Sequence, residues 1–169
     1  MNPPRPEGKG LRFLSYRAGD LEACLSLFDA NCPAFFAPQE RVEYAAFLRQ
    51  APAGYELCWE GERLLGAFGF RAARAAPRGR LDWIMIDPEA QGRGIGTRMM
   101  DRLLERASAA RTGVVEIAAS QHSEPFFARF GAREVARTAD GWGPGMDRID
   151  MELEPPATAL NPAGASGNS

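Results

Sequence analysis

The stretch Gln91-Gly92-Arg93-Gly94-Ile95-Gly96 lies between a strand-like apolar segment, Leu81 to Asp87, and an amphipathic segment, Thr97 to Ala110. The three glycines leave few Cβ atoms in the way, so several main-chain N–H groups can converge on one anion at the start of a helix. The stretch is therefore a candidate phosphate-binding loop, although glycines at this spacing also occur simply in tight turns.

Two better-known phosphate loops are excluded by named residues. The dinucleotide pattern Gly-x-Gly-x-x-Gly needs a glycine at position 97 or 99, where the chain has Thr97 and Met99. The nucleoside-triphosphate loop needs a lysine after its last glycine, but Gly96 is followed by Thr97 and Arg98. What remains is a loop whose N–H groups, assisted by the positive end of the following helix, hold a pyrophosphate.

The segments on either side of this loop predict a mixed α/β domain with loops at 72–79 and 140–145. Because a whole helix connects them, the strands on either side of it form a parallel pair, and a ligand is expected at their carboxyl ends. The predicted elements are a strand Leu11–Arg17, a helix from Leu21 to before Cys32-Pro33, a helix Pro38–Gln50, a hairpin of Tyr55–Glu60 and Arg63–Arg71, a strand Arg80–Asp87, a helix Thr97–Ala110, a strand Val114–Ala119, a short helix Ser123–Phe130, and strands Arg133–Thr138 and Asp147–Leu153.

The composition is that of a soluble globular domain, with 169 residues of which 45% are hydrophobic and 25% charged. We expect one domain at 11–153 between flexible tails at 1–10 and 154–169, which are rich in Pro, Gly, Ala and Ser. A net charge of −2 gives no case for nucleic acid or an anionic membrane as partner. Three cysteines without metal or redox spacing, and no apolar run typical of a signal peptide or membrane span, indicate a cytoplasmic protein.

The loop resembles the signature of the GNAT-type acyl-coenzyme A N-acyltransferases, Gln/Arg-x-x-Gly-x-Gly/Ala after a strand and at the head of a helix. A second stretch, Phe126-Phe127-Ala128-Arg129-Phe130-Gly131-Ala132, resembles the family's second block. The resemblance implies a GNAT fold, with a central mixed, mostly antiparallel sheet, a splayed parallel pair and about four flanking helices. It also implies an acetyl-coenzyme A-dependent N-acetyltransferase that uses no metal.

The resemblance further implies where the coenzyme lies. The splayed pair opens a V-shaped slot in which main-chain groups of one strand pair with the pantetheine arm, while the N–H groups from Gly92 to Thr97 hold the pyrophosphate. Arg93 either adds a charge-assisted contact or is a solvated side chain. The implied coenzyme-binding residues are Ile84, Met85, Ile86, Gln91, Gly92, Arg93, Gly94, Ile95, Gly96, Thr97, Ser120 and Phe127.

The sequence departs from the family pattern where protons are handled. Ser120 occupies the position of a common asparagine, and Phe127 that of a tyrosine whose hydroxyl protonates the departing thiolate. Gly131-Ala132 also replaces the family's closing Gly-Phe. Because phenylalanine has no proton to give, the donor is water, Ser120 or the amine's own proton passed through a water chain.

The reaction itself needs an oxyanion site and a group that takes a proton from the attacking ammonium. Main-chain N–H groups near Met85 or Ile86 would stabilise the oxyanion, as the resemblance implies. Candidates for the proton acceptor are Asp82 and His122, the only histidine, although an isolated histidine beside Ser123 is more often a helix-entry or surface residue. Glu116 is expected to be a structural partner of an arginine. The candidate catalytic residues are therefore Asp82, Ser120 and His122.

The acceptor is expected opposite the coenzyme, between Phe35-Phe36 and the loop around Trp142. Structural alternatives are that the two phenylalanines only pin a helix onto the core and that Trp142 caps the sheet edge. The resemblance implies a primary amine as acceptor, and Asp147 and Asp150 favour a small polar amine over an acidic one. An alternative function, supported only by the missing tyrosine, is a catalytically weak acyl-coenzyme A sensor or regulatory module. The sequence leaves a homodimer open.

Overall fold

The computed structural model describes residues 10–157. The predicted tails lie outside this range, apart from Gly10 and residues 154–157. In chain order the elements are β1 (Leu11–Ser15), α1 (Leu21–Asn31), α2 (Glu40–Arg49), β2 (Tyr55–Glu60), β3 (Arg63–Ala72), β4 (Arg78–Ile86), α3 (Ile95–Ala109), β5 (Val114–Ala119), α4 (Glu124–Ala128), β6 (Arg133–Gly143) and β7 (Met146–Leu153).

Seven strands form one sheet in the order β1-β2-β3-β4-β5-β7-β6. All neighbouring strands are antiparallel except β4 and β5, which run parallel on either side of the crossover helix α3. The mixed, mostly antiparallel sheet with one parallel pair and four helices is therefore confirmed.

The parallel pair separates early. Residues 78–80 of β4 pair with residues 114–116 of β5, and the pairing stops there although both strands continue. Met85 and Ile86 pair with β3 on their other side. The strands consequently open into a V, and the main-chain groups that end β4 face no strand on the β5 side.

Side chains alternate along the strands, so the sheet buries one face under α1 and α2 and the other under α3 and α4. In β2, Leu57 and Trp59 join the core that contains Phe28, whereas Cys58 between them joins the core that contains Met99. Both faces of the sheet are thus occupied, and the V between β4 and β5 is where a ligand finds room.

Two predicted loops are shorter in the structure. The predicted loop at 72–79 is confined to residues 73–77, because Ala72 pairs with Gly79 where β3 turns into β4. The predicted glycine-rich loop at 140–145 is instead strand as far as Gly143, which pairs with Met146. A Cβ at Gly141 would lie 2.5 Å from the Cβ of Arg148, so this glycine permits close approach of β7.

Within residues 10–157, no helix is long and apolar enough to cross a bilayer.

Candidate active site

A cavity of about 800 Å³ lies where β4 and β5 separate. Its wall is formed by β4, the glycine loop, the end of β5, the start of α4, the α1–α2 connection and the β6–β7 hairpin. All the predicted site residues except Arg93 line it, namely Phe35, Phe36, Asp82, Ile84, Met85, Ile86, Gln91, Gly92, Gly94, Ile95, Gly96, Thr97, Ser120, His122, Phe127 and Trp142. The fold therefore brings the candidate coenzyme-binding, acceptor-binding and catalytic residues, other than Arg93, to one cavity.

The glycine loop lines this cavity through Gly92, Gly94, Gly96 and Thr97. Gly92 and Gly94 have φ values of 77° and 75°, in the left-handed region that favours glycine. A Cβ at either position would meet no atom within 4 Å, so the loop is open on this side. The first main-chain hydrogen bond of α3 runs from the N–H of Arg98 to the carbonyl of Gly94, which leaves the preceding N–H groups free for an anion.

Gly96 has a different role, because it lies in close contact with the second block. A Cβ at this position would lie 2.9 Å from the ring of Phe126 and 3.0 Å from the Cδ1 of Ile86. The absence of a side chain at Gly96 thus lets α3 begin against α4 and β4.

The two arginines near the loop differ in their partners. Arg93 donates to the carboxylate of Glu60 at 2.6 Å and is exposed, in line with the solvated alternative. Arg129, in the second block, lines the cavity and lies 5.5 Å from the centre of the Phe126 ring. It forms no ion pair with a residue of the described range, so its charge is available to a ligand. Arg129 is not among the predicted site residues, and its position in the second block is the feature of the sequence that could have identified it.

A bulge in β4 shapes the middle of the cavity. Asp82 pairs with Gly69 and Met85 with Ala67, so two residues of β4 lie opposite Phe68 alone. Trp83, within the bulge, has a φ of 43°, which is unusual for a bulky residue. The bulge redirects the strand just before the main-chain groups proposed to meet the thioester.

Two tyrosines hold this bulge from beneath. The hydroxyl of Tyr55 donates to the carbonyl of Trp83 at 2.9 Å, and the Tyr44 and Tyr55 hydroxyls are hydrogen-bonded at 2.8 Å. Both tyrosines are buried, and burial raises the pKa of each hydroxyl well above its ordinary value. They are therefore neutral donors and acceptors at physiological pH.

The three catalytic candidates have different surroundings. Asp82 is buried, and its two carboxylate oxygens accept from Arg71 at 2.5 and 3.0 Å. Ser120 is also buried, and its Oγ accepts from the main-chain N–H of His122 at 3.3 Å while its proton goes to no described residue. His122 is exposed at the rim. Glu116 pairs with Arg78 at 2.8 Å, as expected.

The predicted acceptor residues lie on two segments that meet over the cavity. The indole N–H of Trp142 donates to the carbonyl of Ala119 at 2.8 Å, and Gln39 donates to the carbonyl of Trp142 at 2.6 Å. Phe36 packs on Trp83 with ring centres 6.0 Å apart. These contacts join the α1–α2 connection to the β6–β7 hairpin, and both phenylalanines contribute to the cavity wall.

The negative charge at the acceptor end comes from residues other than those predicted. Asp147 and Asp150 lie outside the cavity wall, and Asp150 accepts from Arg148 at 2.9 Å. Glu40 and Glu43 line the cavity instead. Glu40 is buried, and desolvation by burial raises the pKa of its carboxyl.

No group of three or more His, Cys, Asp or Glu side chains placed to hold a metal ion occurs among residues 10–157. Among the carboxylates of the cavity wall, Asp82 is paired with Arg71, whereas Glu40 and Glu43 form no ion pair with a described residue.

Comparisons with known proteins identify the family. A family model described as an acetyltransferase (GNAT) domain matches residues 34–155, which is more than half of the chain. No match was found among curated proteins.

Several solved structures share the fold at low sequence identity. The ribosomal-protein-S18-alanine N-acetyltransferase from Escherichia coli has a TM-score of 0.72 at 14% identity, covering 95% of this chain and 100% of its own. An N-acetyltransferase from Staphylococcus aureus Mu50 has a TM-score of 0.66 at 19% identity, covering 86% and 99%. N-acetylglutamate synthase from Neisseria gonorrhoeae, complexed with coenzyme A and N-acetyl-glutamate, has a TM-score of 0.67 at 14% identity, covering 88% of this chain and 36% of its own.

The matched range contains the glycine loop, the second block and all the predicted site residues. The expected fold is confirmed, and the chain belongs to the acetyltransferase (GNAT) family.

Proposed function

We propose that the protein transfers the acetyl group of acetyl-coenzyme A to a primary amine of a small polar molecule. The main support for this function is that the open glycine loop and the end of β4 that is not paired with β5 lie on the wall of one cavity. The loop offers N–H groups for a pyrophosphate, and the strand offers an edge for an extended amide chain. The coenzyme A in the Neisseria gonorrhoeae relative supports this assignment.

The coenzyme would lie along the V with its phosphates on the glycine loop. Ile84, Met85 and Ile86 would pair with the pantetheine arm through their main chain. Arg129 lines the cavity and would place a positive charge beside the phosphates. Arg93 would contribute less, because it is exposed and already paired with Glu60. Phe127, buried in the second block, would pack against the thiol end of the coenzyme.

The chemistry is an attack of a neutral amine on the thioester carbonyl. A C–N bond forms, the C–S bond breaks, one amine proton is lost and the thiolate gains one. Main-chain N–H groups after the bulge, near Met85 or Ile86, would stabilise the oxyanion of the tetrahedral intermediate. This reaction depends on orientation of the two reactants and exclusion of water more than on strong acids or bases.

Ser120 is the residue that we favour as proton donor to the thiolate. It is buried, it lines the cavity, and its hydroxyl proton has no acceptor among the described residues. His122 at the rim is the better candidate for taking the amine proton, because both oxygens of Asp82 already accept from Arg71. On this proposal Asp82 positions β4 more than it moves protons.

The position of the acceptor and the cellular location are also part of the proposal. The acceptor would lie between Phe35, Phe36 and Trp142, at the opposite end from the glycine loop. A cytoplasmic location is supported by Cys24, Cys32 and Cys58, which are all free thiols. A homodimer has no specific support among the described contacts.

The alternative is a sensor module that binds acyl-coenzyme A and turns it over poorly. Its support is Phe127, a buried side chain without a hydroxyl at the position of the family's common proton donor. A thiol-release assay with acetyl-coenzyme A and a panel of amines, run beside calorimetric binding of coenzyme A, separates the two. Thiol release that depends on the amine supports the transferase, whereas tight binding without release for any amine supports the sensor.

A further inference from the structure

The end of the cavity beside α1 and α2 contains two largely buried side chains, each with a hydrogen-bond acceptor that lacks a donor. Asn31 ends α1 and is 2% exposed, and Glu40 begins α2 and is 5% exposed. Both line the cavity. The chain between them forms one wall of the acceptor end, so the two side chains approach the same space.

Each side chain is held by one hydrogen bond that leaves one oxygen unused. The Nδ2 of Asn31 donates to the carbonyl of Leu27 at 2.9 Å, which fixes the amide so that Oδ1 is the remaining atom. The Oε2 of Glu40 accepts from the main-chain N–H of Ala37 at 2.7 Å. Neither Oδ1 of Asn31 nor Oε1 of Glu40 accepts from a residue within 10–157. Neither oxygen is among the fully enclosed polar atoms without a partner in this range, so both are accessible from the cavity that their residues line. A donor from a ligand can therefore reach them, and a hydrogen bond in this largely buried setting would favour binding.

The charges on the cavity wall reinforce this. Arg80 and Arg148 also line the cavity, but each lies beside a carboxylate, Asp82 at 3.6 Å and Asp150 at 2.9 Å respectively. Glu40 and Glu43 form no ion pair within the described residues. The α1–α2 end is therefore negative, whereas Arg129 makes the opposite end, near the glycine loop, positive.

The neighbouring aromatic side chains suit a cation as well. Phe35, Phe36 and Trp83 line the same end, with Phe36 and Trp83 in ring contact at 6.0 Å. Ring faces attract an alkylammonium ion, and its methylene groups gain from the apolar surface. A carboxylate, an amide oxygen and aromatic faces together match an ammonium group, which has three N–H donors and a positive charge.

We propose that this end of the cavity binds a second ammonium group of the acceptor, so that the substrate is a short aliphatic diamine or a similar amine with two cationic nitrogens. The inference rests on the proposed acetyl transfer. The nitrogen that attacks the thioester must be neutral when it does so. A charge that stays bound to Glu40 and Asn31 through the reaction therefore belongs to another nitrogen.

The test compares three amines of matched length, diaminobutane, butylamine and aminobutyrate, with acetyl-coenzyme A. The wild type is expected to prefer diaminobutane over butylamine by at least about tenfold in kcat/KM, the value of one charge-assisted hydrogen bond. Aminobutyrate, which places a carboxylate at this end, is expected to be the poorest. Glu40→Gln keeps an oxygen for the Ala37 N–H and is expected to reduce the preference to near unity.

Two further variants complete the design. Glu43→Gln removes the exposed carboxylate at the same end without threatening the fold, and it is expected to reduce the preference by a smaller factor. Glu105→Gln removes an exposed carboxylate of α3 outside the cavity, and it is expected to keep the wild-type preference.

Calorimetric binding of the same amines to the protein–coenzyme A complex tests the inference without turnover. A wild type that does not distinguish diaminobutane from butylamine would overturn it, as would equal effects of Glu40→Gln and Glu105→Gln. If no amine releases thiol, the proposed acetyl transfer fails, and the calorimetric preference still decides whether this end binds a second ammonium.

Discussion

The hydroxyl of Tyr55 donates a hydrogen bond of 2.9 Å to the main-chain carbonyl of Trp83, the residue of the β4 bulge that has a φ of 43°. This backbone region costs a residue such as tryptophan about 1–3 kcal/mol, so surrounding contacts must hold it in place. Tyr55 itself is buried in the core under α1 and α2. Its hydrogen bond links that core to the main-chain groups proposed to meet the thioester.

Replacing Tyr55 by Phe tests this link. We expect the variant to lose about 1–3 kcal/mol of stability, since the Trp83 carbonyl loses its side-chain donor and the Tyr44 hydroxyl loses one of its partners. We also expect kcat for acetyl transfer to fall roughly ten- to hundredfold, because a misplaced β4 misaligns the oxyanion site. Urea unfolding and steady-state kinetics measure the two effects.

Tyr44→Phe is the matched control, because it removes a hydroxyl of the same chain of hydrogen bonds but keeps the bond to Trp83. A comparable stability loss with a much smaller loss of kcat is expected. Equal losses of kcat in both variants would assign Tyr55 a purely structural role.

Gly96→Ala is expected to weaken coenzyme binding through overpacking. Its Cβ would press on Phe126 at 2.9 Å and on Ile86 at 3.0 Å, which costs about 1–3 kcal/mol and displaces the end of β4. Gly92→Ala has open space but a φ of 77°, so we expect a stability loss of about 1 kcal/mol without displacement of β4. Calorimetry of coenzyme A binding should rank Gly96→Ala as the weaker binder, and the reverse order would be inconsistent with this contact.

Arg129→Ala is expected to raise KM for acetyl-coenzyme A by roughly tenfold with little change in kcat, because it removes a charge beside the phosphates. Arg93→Ala, whose side chain is already paired with Glu60, is expected to change KM far less. The comparison can be repeated with dephospho-coenzyme A, which identifies whether the lost contact is to the ribose phosphate. An Arg93 effect larger than that of Arg129 would reverse the assignment.

Local patterns were sufficient for most of the fold. The apolar spacing of Met99, Met100 and Leu103 marked α3, and a helix between two strands required the parallel pair. Gly61 between two alternating segments marked the β2–β3 turn. These features are set by residues close in sequence, which is why periodicity and turn residues reveal them.

The features that escaped prediction depend on contacts distant in sequence. The bulge at Trp83 lies within an apolar segment that is typical of an uninterrupted strand, and it is held by Tyr55. Gly141 indicated a loop, whereas its lack of a Cβ instead lets β7 approach. Asn31 and Glu40 carry no motif, and only the packing of α1 against α2 brings them to the cavity.

Ser120→Ala is expected to lower kcat roughly tenfold or more with little change in KM for acetyl-coenzyme A, because general acid catalysis typically contributes at least that much. Ser123→Ala, which removes a neighbouring hydroxyl that accepts from the Ser120 N–H at 3.0 Å, is the control for local disruption. Adding Phe127→Tyr to Ser120→Ala supplies a new hydroxyl in the second block, and partial recovery of kcat is expected. An unchanged kcat in Ser120→Ala would assign thiolate protonation to water.

Glu40→Gln is expected to stabilise the protein at neutral pH, although it weakens acceptor selection. Burial raises the pKa of the Glu40 carboxyl above its ordinary value of 4.5, so the fold favours the protonated form. The raised pKa means that wild-type stability from this group is fully present below 4.5 and is lost as the pH rises through the folded-state pKa.

The amide introduced by Glu40→Gln carries no charge, so the variant should equal the wild type in stability at low pH and exceed it at pH values above the folded-state pKa of Glu40. Urea unfolding of both proteins at several pH values, with Glu105→Gln alongside, measures the difference. A gain that is independent of pH would have another cause than the buried charge. The expected gain implies that the buried Glu40 carboxylate, which has no ion-pair partner within residues 10–157, is retained at a cost to the fold. A cationic ligand that compensates this charge when bound would account for its retention.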